Sequence, residues 1–350
     1  MTDSIDVVLV GYGYAGRTFH APLIGAVPGL RLAAVVSSDP GKVRADLPDM
    51  RVFPDLAQAL LDPSLRLVVV ASPNDSHAPL TRQALAAGRH VVVDKPFTTS
   101  HADAVALDAE ARALGLVLSV FHNRRWDGDF LAVQQVLRSG RLGTVVQMRS
   151  HFDRFRPQVR DRWRERPGAG GGLWFDLGPH LLDQALCLFG PPDRLSLDRA
   201  CQRPGASADD WFQAVLHYET RRVLLEAGML AAAPCPRFTL HGTAGSLTVD
   251  GLDAQEPALK AGQRPGGADW SLPGQRICFF AGDTPDGQVS APVTEQAAAG
   301  DYRHYYAGVR DAIGSGAPVP VTAADAATVM RLLDLGCESA AGGRVLPVRL

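Results

Sequence analysis

A strand-like run rich in β-branched residues, Ile5 to Val10, passes without a break into Gly11-Tyr12-Gly13-Tyr14-Ala15-Gly16, and this junction limits the fold more than any other stretch of the chain. An almost continuous apolar strand is one buried on both faces, the condition of a parallel sheet covered by helices. In a GxGxxG sequence that follows such a strand and opens a helix, Gly11 permits the tight turn, Gly13 lets the backbone approach a pyrophosphate, and Gly16 lets the helix pack on the strand. Tyr14 and Ala15 complete the turn, and the N–H groups at the helix start hold the anion. The junction predicts a dinucleotide site.

Strand and helix then alternate. Strands are predicted over 31–36, 67–71, 90–93 and 117–120, with a helix over 80–87 and another from Ser100, where Asp103 completes a capping box. This is the pattern of a doubly wound parallel α/β sheet, on which ligands sit beyond the carboxyl ends of the strands. Three polar segments occupy such positions: Ser72-Pro73-Asn74, Asp94-Lys95-Pro96 and His122-Asn123-Arg124-Arg125-Trp126. Lys95, fixed between a buried strand and a proline, reads either as an ammonium aimed at the cleft or as a surface lysine at a turn. Asp94 beside it and His77, at a helix start, are placed near the cofactor. The second strand ends in Ser37-Ser38-Asp39, where an NAD enzyme usually has an acid for the ribose hydroxyls. Ser37 and Ser38, with Lys42 and Arg44 behind them, suit the 2′-phosphate of NADP, while Asp39 keeps NAD open.

At 350 residues the chain exceeds one ordinary core. The end of the βαβ rhythm near Trp126 divides it into a dinucleotide-binding Rossmann domain over 1–122 and an α+β domain over 123–350. In the second, a helix over 129–139 leads to strands over 145–151, 194–200, 211–217, 222–227, 237–241 and 246–249, an open and mostly antiparallel sheet. Residues 262–287, rich in Gly, Pro and Asp, read as a surface excursion. Two helices close the chain, one over 301–315 and one from a Thr322/Asp325 capping box, the last packing back on the first domain. Lys plus Arg at 35 against Asp plus Glu at 37 leaves a net charge of -2, so the expected partner is a small molecule, with no nucleic acid and no membrane. Five separated cysteines lack metal-ligand spacing and read as reduced thiols. The first residues lack a basic leader and no apolar run is long enough to span a bilayer, so a cytoplasmic location is expected.

The chemistry of the second domain is expected in GAGGGLWFDLGPHLLDQALCLFG, residues 168–190. Asp176 and His180, four residues apart, share one helical face, with Asp183 a turn further on. Pro179 fits the first turn of a helix, which puts Asp176 at or just before its start. Two readings stay open: a proton relay, or a capping Asp with a core histidine. Residues 153–166 carry six arginines among aromatic and acidic residues, and read either as a loop lining a small-molecule pocket or as a solvated face.

GYGYAG after the first strand, DKP at 94–96, HNRRWD at 122–127 and GGGLWFDLGPHLLD at 170–183 together resemble the Gfo/Idh/MocA oxidoreductases, the family of glucose-fructose oxidoreductase and inositol dehydrogenase. VFHNRRWDGDF, RFRPQVRDRWRE and the closing YRHYYAGVRDAI look most like its NADP-dependent scyllo-inositol dehydrogenase branch. The resemblance runs end to end. It implies a second domain whose open sheet builds a homodimer or homotetramer, and hydride transfer between nicotinamide and a secondary alcohol of a cyclic polyol or sugar. The best match is scyllo-inositol/scyllo-inosose, with an aldose or deoxy-sugar as the alternative. The resemblance assigns the reacting hydroxyl to Lys95, Asp176 and His180, and the substrate pocket to these with His122, Arg124, Arg125, Trp163 and Arg164. His180 is then the base, Asp176 orients its ring, and Lys95 stabilises the alkoxide, although Lys95 and His180 can exchange roles. The glutamate that usually precedes the lysine is Asp94 here. Two other classes remain: a non-enzymatic NADP-binding sensor, and a metal-dependent hydrolase on Asp176, His180 and Asp183. No HExxH-like pattern supports the latter, and no metal is expected.

Overall fold

Six strands, β1 (Ile5–Val10), β2 (Leu30–Val36), β3 (Arg51–Phe53), β4 (Leu65–Val70), β5 (His90–Val93) and β6 (Leu118–Val120), pair in parallel in the order β3-β2-β1-β4-β5-β6. The protein is described from a computed structural model that covers residues 4–350 other than 169, 268–269, 271 and 283–288. Its chain divides into two compact units, the first comprising Met1–Asn123, Gln255–Ser271 and Asp301–Met330, the second Arg124–Ala254, Leu272–Gly300 and Arg331–Leu350.

The first unit is built on the parallel sheet. Val7, Val8 and Leu9 of β1 and Val68, Val69 and Val70 of β4 are fully buried, each such side chain contributing about 1.5–3 kcal/mol relative to exposure. The strand order reverses between β1 and β4, the crevice where nucleotides bind on doubly wound sheets. The helix after the glycine turn widens at Gly16–His20, where the Ala21 N–H bonds the Gly16 carbonyl. Pro22 follows, and its missing N–H denies the carbonyl of Thr18 the usual partner. Ser100 caps the helix His101–Ala113, accepting the Asp103 N–H at 3.2 Å.

Residues late in the chain complete this core. Tyr302, Tyr305 and Tyr306 are fully buried. The Tyr305 hydroxyl donates to Ser119 Oγ (2.9 Å), which donates in turn to the Val321 carbonyl (2.8 Å).

The second unit holds nine strands, β7 (Val145–His151), β8 (Arg194–Ala200), β9 (Trp211–His217), β10 (Arg222–Gly228), β11 (Phe238–Gly242), β12 (Gly245–Asp250), β13 (Arg276–Ala281), β14 (Val293–Gln296) and β15 (Leu346–Pro347). Their order is β14-β13-β12-β11-β7-β10-β9-β8-β15, and only the β7–β10 pair is parallel. Strict alternation puts Phe212, Ala214 and Leu216 of β9 and Val223, Leu225 and Ala227 of β10 on one face, against the helix Leu173–Phe189.

Two expectations are corrected here. Residues 262–287 are not simply an excursion, because Arg276 onward forms β13, paired with β12. Part of that stretch lies outside the described residues. Nor does the site helix begin near Pro179: it starts at Leu173 and carries Pro179 inside it. Its start is set by Asp209, whose carbonyl accepts the Leu173 N–H (2.7 Å) and whose carboxylate accepts the Trp174 N–H (2.8 Å).

Trp174 is the largest buried side chain of this unit, with its ring 5.0 Å from Phe212 and its indole N–H donating to the Leu333 carbonyl at 3.1 Å. Gly178 and Gly336 let backbone approach its ring, for a Cβ at either would stand 2.8 Å or 2.7 Å from ring carbons. Overpacking of this kind costs about 1–3 kcal/mol, more than a helical Gly-to-Ala change returns. Gly336→Ala is therefore expected to lower the thermal midpoint by several degrees. Differential scanning fluorimetry checks this, and an equal or higher midpoint contradicts it.

Candidate active site

In the first unit the site begins at the glycine turn. Gly11 has φ 96°, and a Cβ there would lie 2.6 Å from the Ala71 carbonyl oxygen. At Gly16 a Cβ would lie 2.2 Å from the Gly11 oxygen, whereas at Gly13 it would meet nothing within 4 Å. Close backbone packing thus forces two of the three glycines, while the third faces open space. Tyr14 is half-exposed and donates to Glu256 (2.9 Å), itself paired with Lys260 (2.7 Å). The helix Gln255–Lys260, absent from the sequence reading, therefore stands beside the turn. Ala15 is partly buried next to it.

After β2, the Ser37 hydroxyl accepts the Asp39 N–H (3.1 Å), and the Asp39 carboxylate accepts the Lys42 N–H (3.0 Å), capping the helix Pro40–Asp46. Ser38 and Lys42 are exposed. After β4, Ser72 and Ser76 share a hydrogen bond (2.6 Å), Pro73 is exposed and Asn74 is buried. His77 is buried with its ring nitrogens 2.8 Å from the Pro96 carbonyl and 3.0 Å from the Ser72 carbonyl. This imidazole ties the loops after β4 and β5 together, a positioning task that its place at a helix start did not disclose.

Asp94 folds back to accept the Lys95 N–H (2.9 Å), a bond to the next residue that its short side chain permits. Behind it stands His20, fully buried, with Nε2 3.7 Å from Asp94 and Nδ1 2.6 Å from the Tyr306 hydroxyl. Burial opposes the Asp94 charge, but His20, Lys95 and His77 outweigh it and hold the carboxyl below its ordinary range. Burial raises the Tyr306 phenol well above its usual value. Lys95 itself is half-buried, its peptide bond to Pro96 is cis, and His122 is buried beyond β6.

The second unit carries the remaining predicted residues on and around the helix Leu173–Phe189. Asp176 lies in its first turn, half-buried, and His180 one turn further, buried. The Arg164 guanidinium is 3.5 Å from Asp176. The side chain of Trp163 lies outside the described residues. Asp183 receives a bidentate pair from Arg125, at 2.9 Å from Nε and 2.7 Å from Nη2. Arg124 pairs with Asp127 (3.1 Å) and stacks on Phe152 at 4.6 Å. Gln184 joins the set, donating to the Arg124 carbonyl (3.0 Å) and accepting from Arg237 (2.7 Å). Of the three arginines expected in a substrate pocket, Arg125 fastens the segment after β6 to the helix that bears His180 by its side chain, Arg124 does so through its carbonyl, and Arg164 faces Asp176. Among the described residues no group of three or more His, Cys, Asp or Glu is placed to hold a metal ion. Among the same residues no helix is long and apolar enough to cross a membrane.

Residues 5–122 match the NAD-binding Rossmann-fold model of the Gfo/Idh/MocA oxidoreductase family, and residues 134–350 match the model of its C-terminal alpha/beta domain. The chain belongs to the Gfo/Idh/MocA family. It is 50% identical over 340 residues, 97% of each chain, to the uncharacterized oxidoreductase YdgJ of Escherichia coli K12. It is 34% identical over 346 residues, 98% of this chain and 96% of the other, to scyllo-inositol 2-dehydrogenase (NADP(+)) IolW of Bacillus subtilis. A solved oxidoreductase structure from Yersinia pestis matches 100% of this chain and 99% of its own at 48% identity, with a TM-score of 0.92. The protein is accordingly an NAD(P)-dependent dehydrogenase of the Gfo/Idh/MocA family. Its glycine turn fits that cofactor, because the open space at Gly13 is the approach a pyrophosphate needs.

One buried group beside the Gln184 network has a pH consequence. Asp129 is fully buried, 3.7 Å from Arg237 Nε. Burial, with Asp253 adding to it and Arg237 opposing it, pushes its carboxyl up to about 6. An unfolded Asp titrates at about 3.9, so the folded state keeps this proton longer, and stability falls as pH rises from about 4 to about 6. Asp129→Asn removes that dependence. Relative to wild type, the variant is expected to gain stability on the order of 2 kcal/mol between pH 4 and pH 7. Urea midpoints at both pH values check this, and a variant that loses ground toward neutrality contradicts it.

Proposed function

We propose that this dehydrogenase oxidises a secondary alcohol of a cyclic polyol with NADP, with scyllo-inositol and its ketone scyllo-inosose as the substrate pair. The observation that carries the reading is the similarity to the NADP-dependent scyllo-inositol 2-dehydrogenase over 98% of the chain.

The loop after β2 supports the cofactor choice. Asp39, the acid available for an NAD ribose, spends its carboxylate on the helix N–H of Lys42, and the Ser37 hydroxyl bonds the Asp39 backbone, so the exposed Ser38 hydroxyl and the Lys42 ammonium are the groups that face a 2′-phosphate, with Ser37 holding the loop. When bound, the nicotinamide supplies the hydride acceptor. Lys95 donates a hydrogen bond to the reacting oxygen, which stabilises the alkoxide as it forms. His180 takes the hydroxyl proton, and Asp176 stabilises the imidazolium. Lys95 comes from the loop after β5 and the pair from the site helix. The same reading places the enzyme in the cytoplasm as a homodimer or homotetramer joined through the nine-stranded sheet.

Lys95→Met and His180→Ala are each expected to lower kcat by a hundredfold or more while cofactor Kd, read by NADPH fluorescence, stays within a few-fold. Full activity in either variant removes that residue from the mechanism. Cofactor choice is tested separately, by kcat/KM for NADP and NAD across a panel of inositols, aldoses and sugar acids. A higher value for NADP is expected; a clear preference for NAD would shift the ribose contact from Ser38 to Asp39.

A further inference from the structure

Arg203 stands between β8 and β9, outside every helix and strand, and is only 5% exposed. Such burial is costly for a cation unless its donors are matched. Here they are matched to four oxygens. Nε donates to Asp210 (2.9 Å), Nη1 to the carbonyls of Arg156 (3.2 Å) and Gln158 (3.1 Å), and Nη2 to Glu165 (3.0 Å). Asp210 is fixed in turn by the N–H groups of Gln202 (2.6 Å) and Arg203 (3.0 Å). Glu165 accepts from the Arg160 N–H (3.0 Å) and from Arg162 Nε (2.7 Å). One planar cation thus stitches the segment 156–165 to the loop after β8 at three points.

That segment delivers Arg164. Its carbonyl accepts the Gly172 N–H at 2.9 Å, immediately before the site helix, and its guanidinium lies 3.5 Å from Asp176. Arg164, Asp176, Arg203, Asp209 and Asp210 line one cavity. The path from the buried cation to the candidate catalytic carboxylate is therefore short and made of polar contacts with fixed geometry.

We propose that Arg203 is a positioning residue: it clamps the segment 156–165 so that Arg164 is held against Asp176 in the orientation that substrate binding requires. The proposal rests on the role given to Asp176 in the dehydrogenase reading above. Lysine cannot replace Arg203, because an ammonium does not present the planar fork that spans Asp210, two carbonyls and Glu165 at once.

The test uses Arg203→Lys in the full chain, with two readouts. Trypsin cuts after arginine where no proline follows, and the segment offers Arg160, Arg162 and Arg164. Nicking after these three residues is expected to accelerate at least tenfold. For a substrate that wild type turns over, KM is expected to rise at least tenfold while cofactor Kd stays within twofold. Adding Arg164→Ala to Arg203→Lys is expected to change KM less than twofold further, since the clamp acts through Arg164. If Arg203→Lys shows no cooperative melting transition, Glu165→Gln, which keeps the shape and removes one charge, is read in the same way. Nicking at the wild-type rate, or faster nicking with KM and kcat unchanged, overturns the proposal. A wild-type enzyme that turns over no polyol or sugar with either cofactor defeats the polyol reading instead, and the trypsin arm then decides the clamp alone.

Discussion

The first turn of the helix Leu173–Phe189 is held by a residue 35 positions beyond Trp174. A helix start leaves four N–H groups without partners, and in a buried setting each unpaired donor costs about 1–3 kcal/mol. Asp209 supplies two of the acceptors, one from its backbone and one from its carboxylate. It does so although burial pushes its carboxyl above the ordinary range. Gly172 makes the approach possible, since a Cβ at that position would stand 2.3 Å from an Asp209 oxygen. Because this cap fixes where the helix begins, it also fixes that Asp176 falls in the first turn and His180 one turn beyond. The capping role considered for Asp176 is occupied by another residue, which leaves its carboxylate to Arg164 and to whatever binds there.

What the sequence disclosed and what it withheld divide along the same line. β1, β2, β4 and β5 were legible because a strand buried on both faces must be apolar throughout, and the glycines after β1 carry a local steric requirement. β7 to β12 were legible from alternation, the mark of a sheet with one covered face. The site helix was misplaced by several residues because its cap comes from a distant loop, so no nearby Ser, Thr, Asp or Asn announced it; Pro179, the nearest local signal, lies inside the helix. β13 was hidden by its neighbours: Arg276 to Ala281 is a good strand sequence embedded in a stretch whose glycine and proline content pointed to a loop. The helix Gln255–Lys260 was too short to show a period.

The polar residues were legible as a set but not by role. Arg124, Arg125, Arg164 and Arg203 are chemically alike in a sequence, and only their partners separate them. Arg125 meets Asp183, which anchors the segment after β6 to the site helix, and Arg124 meets Asp127 within that segment. Arg164 meets Asp176, and Arg203 meets a buried quartet of oxygens. His20 and Tyr306 behind Asp94 carried no signal at all, since a buried histidine paired with a buried phenol is indistinguishable in sequence from two packing residues.

The late return of the chain to the first unit bears on how the protein is made. The nucleotide-binding sheet is finished by residue 120, yet the three tyrosines that fill its side and the Val321 carbonyl that accepts from Ser119 are encoded more than 180 residues later. A ribosome that has released only the first 123 residues has synthesised every strand of that sheet and the aliphatic core between them, but not the tyrosines that complete it. Full stability of the first unit is therefore expected to wait for nearly the whole chain, with the second unit's residues translated in between, so the order of domains along the sequence is not the order in which they become complete.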